Sequence, residues 1–153
     1  MKINKKGFTM LELLAVIIIL GILMTIAYMG VSQYLNRARE ATYEDFEENI
    51  TSGVTNYLID HSGHIPEEGE SLVVDVAKLV CEGYIEDLQD PRESSETCNL
   101  ESYAIVTRNA DTGYNMDLEY EACLKCSNYE SAACSNSISG IERLRKDASC
   151  EVN

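Results

Sequence analysis

The sequence predicts an α+β chain: one long N-terminal helix, membrane-spanning in its first half, packed by its second half on a small antiparallel β-sheet head stapled by disulfides. Three observations carry this. A nearly unbroken apolar stretch follows a short basic start. An amphipathic helical pattern then continues without proline to about residue 62. The remainder combines strand-like runs, turn residues and six cysteines.

Lys2, Lys5 and Lys6 form a basic patch closed by Gly7, and no charged residue occurs in residues 13–31. At ~1.5 Å rise per residue, the roughly 24 residues from Phe8 to Val31 can cross a hydrocarbon core of ~30 Å. The lysines place the N-terminal end in the cytoplasm and all that follows residue 31 outside. Glu12 does not belong in a plain anchor. A carboxylate inside a spanning helix costs about 2.5 kcal/mol or more, so it marks a functional group that needs a partner. A secretory signal fits poorly: the apolar stretch exceeds ~7–15 residues, and Thr25-Ile26-Ala27-Tyr28 is a poor cleavage site.

The stretch Lys5-Lys6-Gly7-Phe8-Thr9-Met10-Leu11-Glu12-Leu13-Leu14 resembles the class III leader of type IV pilins and of the related type II secretion pseudopilins. The resemblance implies a pilin-like fold and cleavage after Gly7 by an inner-membrane prepilin peptidase. It also implies methylation of the new N-terminal amine of Phe8, and a filament in which Glu12 neutralises the N-terminal ammonium of a neighbouring subunit. The electrostatics agree: opposite charges that are each costly in hydrocarbon become tolerable when paired, and removing one strands the other. Gly21 matches a small residue common in the family's first helix. Met29-Gly30 stands where many members carry proline, so a straighter helix is expected, with Gly30 the place for any local melting. The motif covers about the first 30 residues. The implied organisation is a leader over residues 1–7 that is removed, a membrane and filament-core segment over 8–31, an amphipathic segment over 32–62, and a head over 63–153.

Removing the three leader lysines takes the net charge from −14 to −17, and setting aside Glu12 leaves −16 on the exposed remainder. So acidic a surface argues against contact with nucleic-acid backbone, which needs Lys and Arg. The one basic run, Arg143-Leu144-Arg145-Lys146, is short and flanked by acids. About 90 residues are left for the head, enough for one modest core.

Along the helix, Leu35, Ala38, Thr42, Phe46, Ile50, Val54, Tyr57 and Leu58 recur at spacings of three or four, with charges between them. Gly63 and Pro66 supply the stop. A helix of roughly 54 residues would be ~80 Å long. His61 and His64 then fall in a turn-rich loop. Leu72-Val73-Val74 reads as extended, Asp75 as the N-cap of a short helix carrying Val76, Leu79 and Val80, and Gly83 as its C-terminal cap. Asp90-Pro91 opens an acidic connection. Two strand-like runs, over residues 103–107 and 114–120, flank an Asn109-to-Gly113 turn, giving a hairpin at about 102–120. Beyond Ser127 strand signals fade, and the tail reads as loops with one irregular or helical turn over 140–146.

Cys81, Cys98, Cys123, Cys126, Cys134 and Cys150 lie in the exported part and read first as disulfides, with 15 full pairings possible. If Arg108 faces Tyr114, paired positions sum to about 222. Cys98 then lies opposite position ~124 and bonds either Cys123 or Cys126. The cysteine left over joins Cys134 or Cys150, and Cys81 has no assigned partner. The competing reading is zinc held by Cys123-x-x-Cys126 with Cys134 and Cys150.

The chain carries no Gly-x-Ser-x-Gly elbow, phosphate loop or His-Glu-x-x-His motif. Asp111, Asp117 and Glu119 lie where some pseudopilins hold calcium, though scattered acids in so acidic a chain read as a solvated face. The expectation is therefore a pilus-like filament subunit rather than an enzyme, with no cofactor and no metal. Its implied partners are copies of itself or other pilins, the prepilin peptidase, the membrane and an assembly platform. It would be a single-pass membrane protein before assembly and part of a cell-surface filament after it. Alternatives are a pseudopilin of a secretion or competence machine, and a membrane-anchored extracellular binding domain.

Overall fold

The computed structural model describes residues 8–110 and 116–150. The leader with Lys2, Lys5, Lys6 and Gly7 lies outside the described residues, as do the turn positions Asp111, Thr112, Gly113 and Tyr114. The chain divides into two compact units, Met1–Glu40 and Ala41–Asn153. One 51-residue helix, α1 (Met10–Asp60), contributes to both. It runs through Gly30 without interruption, which accords with the absence of proline.

In the first unit the apolar side chains of α1 are exposed: Leu14 is 57% exposed, Ile17 60% and Leu23 56%. Among the described residues α1 is the one helix long and apolar enough to cross a membrane, and 0% of that apolar window is buried.

The second unit is built on a four-stranded sheet of order β3-β2-β1-β6, with β1 Ser71–Asp75, β2 Tyr103–Arg108, β3 Leu118–Cys123 and β6 Glu142–Leu144. β1–β2 and β2–β3 are antiparallel, while β6 lies parallel to β1. A two-stranded ribbon, β4 (Lys125–Cys126) with β5 (Tyr129–Glu130), follows β3. The period of two sorts the strands cleanly. Leu72, Val74, Ala104, Val106 and Ala122 join Tyr43, Ile50, Val54, Tyr57 and Leu58 of α1 in the main core. Val73, Tyr103, Ile105 and Cys123 form a second cluster, covered by Cys134, Ile138 and Ile141. Tyr43 is fully buried where the expected stripe had Thr42, which is only half-buried.

Several expectations need correction. α1 does end just before Gly63 and Pro66, but Gly63 is not among the positive-φ glycines of the described residues, which are Gly69, Gly83 and Gly140. The chain instead leaves α1 through a 3-10 turn, Ser62–His64. The hairpin register differs too: Arg108 pairs with Leu118, not Tyr114. This register turns Leu118, Tyr120 and Ala122 toward the main core, whereas Met116 remains 47% exposed, so no burial rewards pairing further up the strand. The tail over 140–146 is no helical turn but holds β6. Arg143 Nε donates to Asp75 Oδ1 at 2.7 Å and its guanidinium lies over the Tyr103 ring, while Leu144 packs on the core. Asp75 precedes the short helix α2 (Val76–Cys81) but makes no side-chain cap, being used by Arg143 instead. Gly83 (φ 78) closes α2, with Tyr84 N–H on Leu79 C=O and Gly83 N–H on Val80 C=O, the two bonds of a Schellman motif.

Candidate functional site

Helix α1 starts on a reciprocal pair. Thr9 lies just outside it, and the Thr9 C=O accepts the N–H groups of Glu12 (3.1 Å) and Leu13 (3.2 Å). Thr9 Oγ1 accepts a second contact from the Glu12 N–H at 3.2 Å. In return the Glu12 carboxylate, through Oε2, accepts from the Thr9 N–H at 3.4 Å and its hydroxyl at 3.5 Å. This is a capping box, in which the first unpaired backbone donors of a helix are satisfied by Thr and Glu three apart. Thr9 had no role in the sequence expectation; its signal is the Thr-x-x-Glu spacing.

Phe8 is 77% exposed, and Glu12 is the only charged residue between it and Arg37. From there to residue 31 the helix is apolar all round, a pattern that belongs in a membrane or a protein core. Thr25 agrees with such a medium, because its hydroxyl donates to the Ile22 C=O at 2.7 Å. A Cβ placed on Gly21 or Gly30 would meet nothing within 4 Å, so this chain's own packing does not require either residue to be small. Small residues on an exposed apolar helix allow a second helix to approach closely.

The head unit holds the six cysteines in three bridges. Cys98 joins Cys126 (Cα–Cα 4.5 Å), Cys123 joins Cys134 (4.6 Å) and Cys81 joins Cys150 (6.0 Å). The four-thiolate zinc reading is overturned, since Cys123, Cys126, Cys134 and Cys150 are divided among these three bridges. Asp90 lies with the sulfurs of Cys98 and Cys126, all within 4.8 Å, but sulfurs bonded to one another offer no thiolate to a metal. Asp90 is a structural carboxylate: its Oδ1 accepts from Tyr43 Oη (2.8 Å) and Arg92 N–H (2.8 Å). Burial opposes its ionisation, but bonds from the Arg92 N–H, Tyr43, the Glu93 N–H and the Ser127 N–H outweigh this and hold its carboxyl below the ordinary value. Tyr43 also stacks on Tyr129 at 4.0 Å, and Tyr129 Oη donates to Glu47 at 2.9 Å, which seats the β4–β5 ribbon on α1. Nothing in the sequence pattern connects Tyr43 to Asp90 or Tyr129.

The remaining candidates are engaged structurally. His64 Nδ1 lies 2.8 Å from Tyr57 Oη, and the His61 ring stacks on Tyr57 at 4.5 Å. Of the basic run, Arg143 is held by Asp75, and Lys146 Nζ donates to the Cys150 C=O at 2.9 Å. Asp117 and Glu119 are exposed: Asp117 C=O accepts the Asn109 N–H at 2.9 Å, and Glu119 accepts from the Asn109 side chain at 3.4 Å.

The chain matches the family model of the prokaryotic N-terminal methylation motif over residues 2–28. It is 30% identical over 82 residues to the ComG operon protein 3 homolog of Bacillus licheniformis, an alignment covering 54% of this chain and 76% of that protein. It is 29% identical over 82 residues to the competence protein ComGC of Bacillus subtilis, with the same coverage. It is 39% identical over 67 residues to the type IV major pilin protein PilE1 of Neisseria gonorrhoeae, covering 44% of this chain and 40% of that protein. No solved structure matches. A methylation motif at the start of an exposed apolar helix, together with these relatives, establishes that the chain belongs to the family of type IV pilins and pseudopilins.

Proposed function

We infer that the chain is a structural subunit of a type IV pilus-like filament and not an enzyme. It is made as a membrane-anchored precursor, N-terminus inside and head outside, and becomes part of an extracellular filament. Prepilin peptidase removes residues 1–7 by cutting after Gly7, and the amine of Phe8 is methylated. Residues 8–31 then pack against copies of themselves or other pilins on an assembly platform, 32–62 continue as the amphipathic segment, and 63–153 are displayed.

The observation that carries this is an apolar helix surface, unburied by its own chain, that bears a single carboxylate. In lipid the apolar side chains are already out of water, so moving them into a filament gains nothing from the hydrophobic effect; packing and charge decide the outcome. A lone carboxylate in hydrocarbon costs about 2.5 kcal/mol or more, and so does a lone ammonium. Pairing Glu12 with a neighbour's Phe8 ammonium removes both costs at once. Glu12→Ala is expected to leave cleavage after Gly7 intact and to cut filament yield severely. Mass spectrometry of the mature N-terminus and sheared-filament yield check the two halves; a normal yield would refute the pairing.

A second reading, a pseudopilin of a competence machine, is favoured by the 76% coverage of the Bacillus competence proteins against 40% of the Neisseria pilin. Electron microscopy of purified filaments separates the two: long surface fibres support a pilin, short ones a pseudopilin.

A further inference from the structure

We propose that the Cys98–Cys126 bridge of the head exchanges with small thiols through Cys126, and that the Asp90 carboxylate behind it slows this exchange. The loop before the bridge brings the carboxylate there. Gln89 pairs with Thr97, the Asp90 N–H donates to the Glu96 C=O at 3.0 Å, and the Cys98 N–H donates to the Leu88 C=O at 2.8 Å. Asp90 is 1% exposed, and one of its oxygens lies with both sulfurs, all within 4.8 Å of one another. Its Oδ2 is buried with no hydrogen-bond partner among the described residues, so no donor offsets the charge on that oxygen.

The two sulfurs differ in access. Cys98 is fully buried, and the Ser102 hydroxyl donates to its C=O, so its backbone is held at both ends. Cys126 is half-buried and lines a cleft of about 730 Å³ with Leu100, Lys125 and Asn128, room enough for a small aliphatic thiol. A thiolate attacks one sulfur of a disulfide and expels the other as a thiolate. Attack from the cleft joins the reagent's sulfur to Cys126 Sγ, breaks the bond to Cys98 and leaves the electron pair on Cys98 Sγ. That anion forms in a buried place beside the Asp90 carboxylate, where like charges oppose one another. A second thiolate then displaces Cys126 and completes the reagent's own disulfide. The reagent is oxidised, the bridge is reduced, and solvent supplies a proton to each cysteine.

The Cys123–Cys134 bridge is the internal control. It too joins a fully buried cysteine to a half-buried one, but among the described residues no carboxylate lies within 4.8 Å of both its sulfurs. The test treats the full-length protein in detergent with β-mercaptoethanol, a neutral thiol, then blocks free thiols and maps every cysteine by mass spectrometry. Expected in the wild type are mixed disulfides on Cys126 rather than Cys98. Cys98–Cys126 should also open about tenfold more slowly than Cys123–Cys134, the equivalent of about 1.4 kcal/mol. Asp90→Asn keeps the shape, removes the charge and should bring the two rates together. Tyr43→Phe removes a bond to Asp90 but leaves its charge, so the tenfold gap should remain. Adducts on Cys98, equal rates in the wild type, a gap that survives Asp90→Asn, or a gap that Tyr43→Phe also closes would each overturn the proposal. Should Asp90→Asn not fold, the wild-type gap and the identity of the trapped sulfur still decide it.

Discussion

The two units of this chain solve opposite problems with similar residues. Among the described residues of the first, leucine, isoleucine and valine face outward along one helix, with no sheet, no disulfide and a single charge, Glu12, before Arg37. In the second, the same residue types are sealed on both faces of a sheet, bridged three times by cysteines and ringed by acids. The contrast shows where each unit finds its stability. The head draws on its own contacts. The exposed helix is complete only in a medium or a partner that covers it, so its residues should be silent in any test of the head and decisive in any test of assembly.

The largest expected difference follows from truncating one isoleucine in each unit. Ile50 is fully buried against the sheet, and Ile50→Ala should cost the head about 2–5 kcal/mol in chemical unfolding. Ile17 is 60% exposed, so Ile17→Ala should leave that unfolding midpoint unchanged and lower filament yield instead. A shift in the head midpoint from Ile17→Ala would break the comparison.

Glycines sharpen it with a smaller effect. A Cβ on Gly53 would collide with Ile85 Cγ2, so Gly53→Ala should destabilise the head by about 1–3 kcal/mol. That outweighs the gain in helix propensity of about 1 kcal/mol. Gly21→Ala has open space within its own chain and should not disturb the head, yet it should weaken packing between helices.

The smallest effect is confined to acid. Asp90 has its carboxyl held below the ordinary 3.8, so its contribution to stability is present above that pH and is lost as pH falls through the folded value. Asp90→Asn should flatten that acid limb of head stability, measured by chemical unfolding across pH. An unchanged limb would mean that other carboxylates govern it.

Much of this was legible in the sequence, and the reason for the rest is physical. α1, β1, α2 and its Gly83 cap all follow from periodicity and local turn chemistry. The hairpin register did not: sliding Arg108 from Tyr114 to Leu118 is an even shift that keeps the same side chains inward, so alternation cannot tell the two apart. β6 was illegible because its three paired residues depend on β1 and on a bond between Arg143 and Asp75, 68 positions apart. The Tyr43–Asp90–Tyr129 junction likewise joins three distant segments. Cys126 is the partner of Cys98 in the structure, and the bridge between Cys81 and Cys150 had no local signal at all. In the helix, Glu12 stands out by composition alone, whereas Thr9 required the capping spacing to be recognised.

The central claim is that other pilin subunits cover the exposed half of α1. Placing a photo-cross-linking residue at Ile17 and mapping its adducts by mass spectrometry in sheared filaments tests this most directly. The account predicts adducts to residues 8–31 of another subunit. Adducts to lipid alone, in filaments and membranes alike, would contradict it.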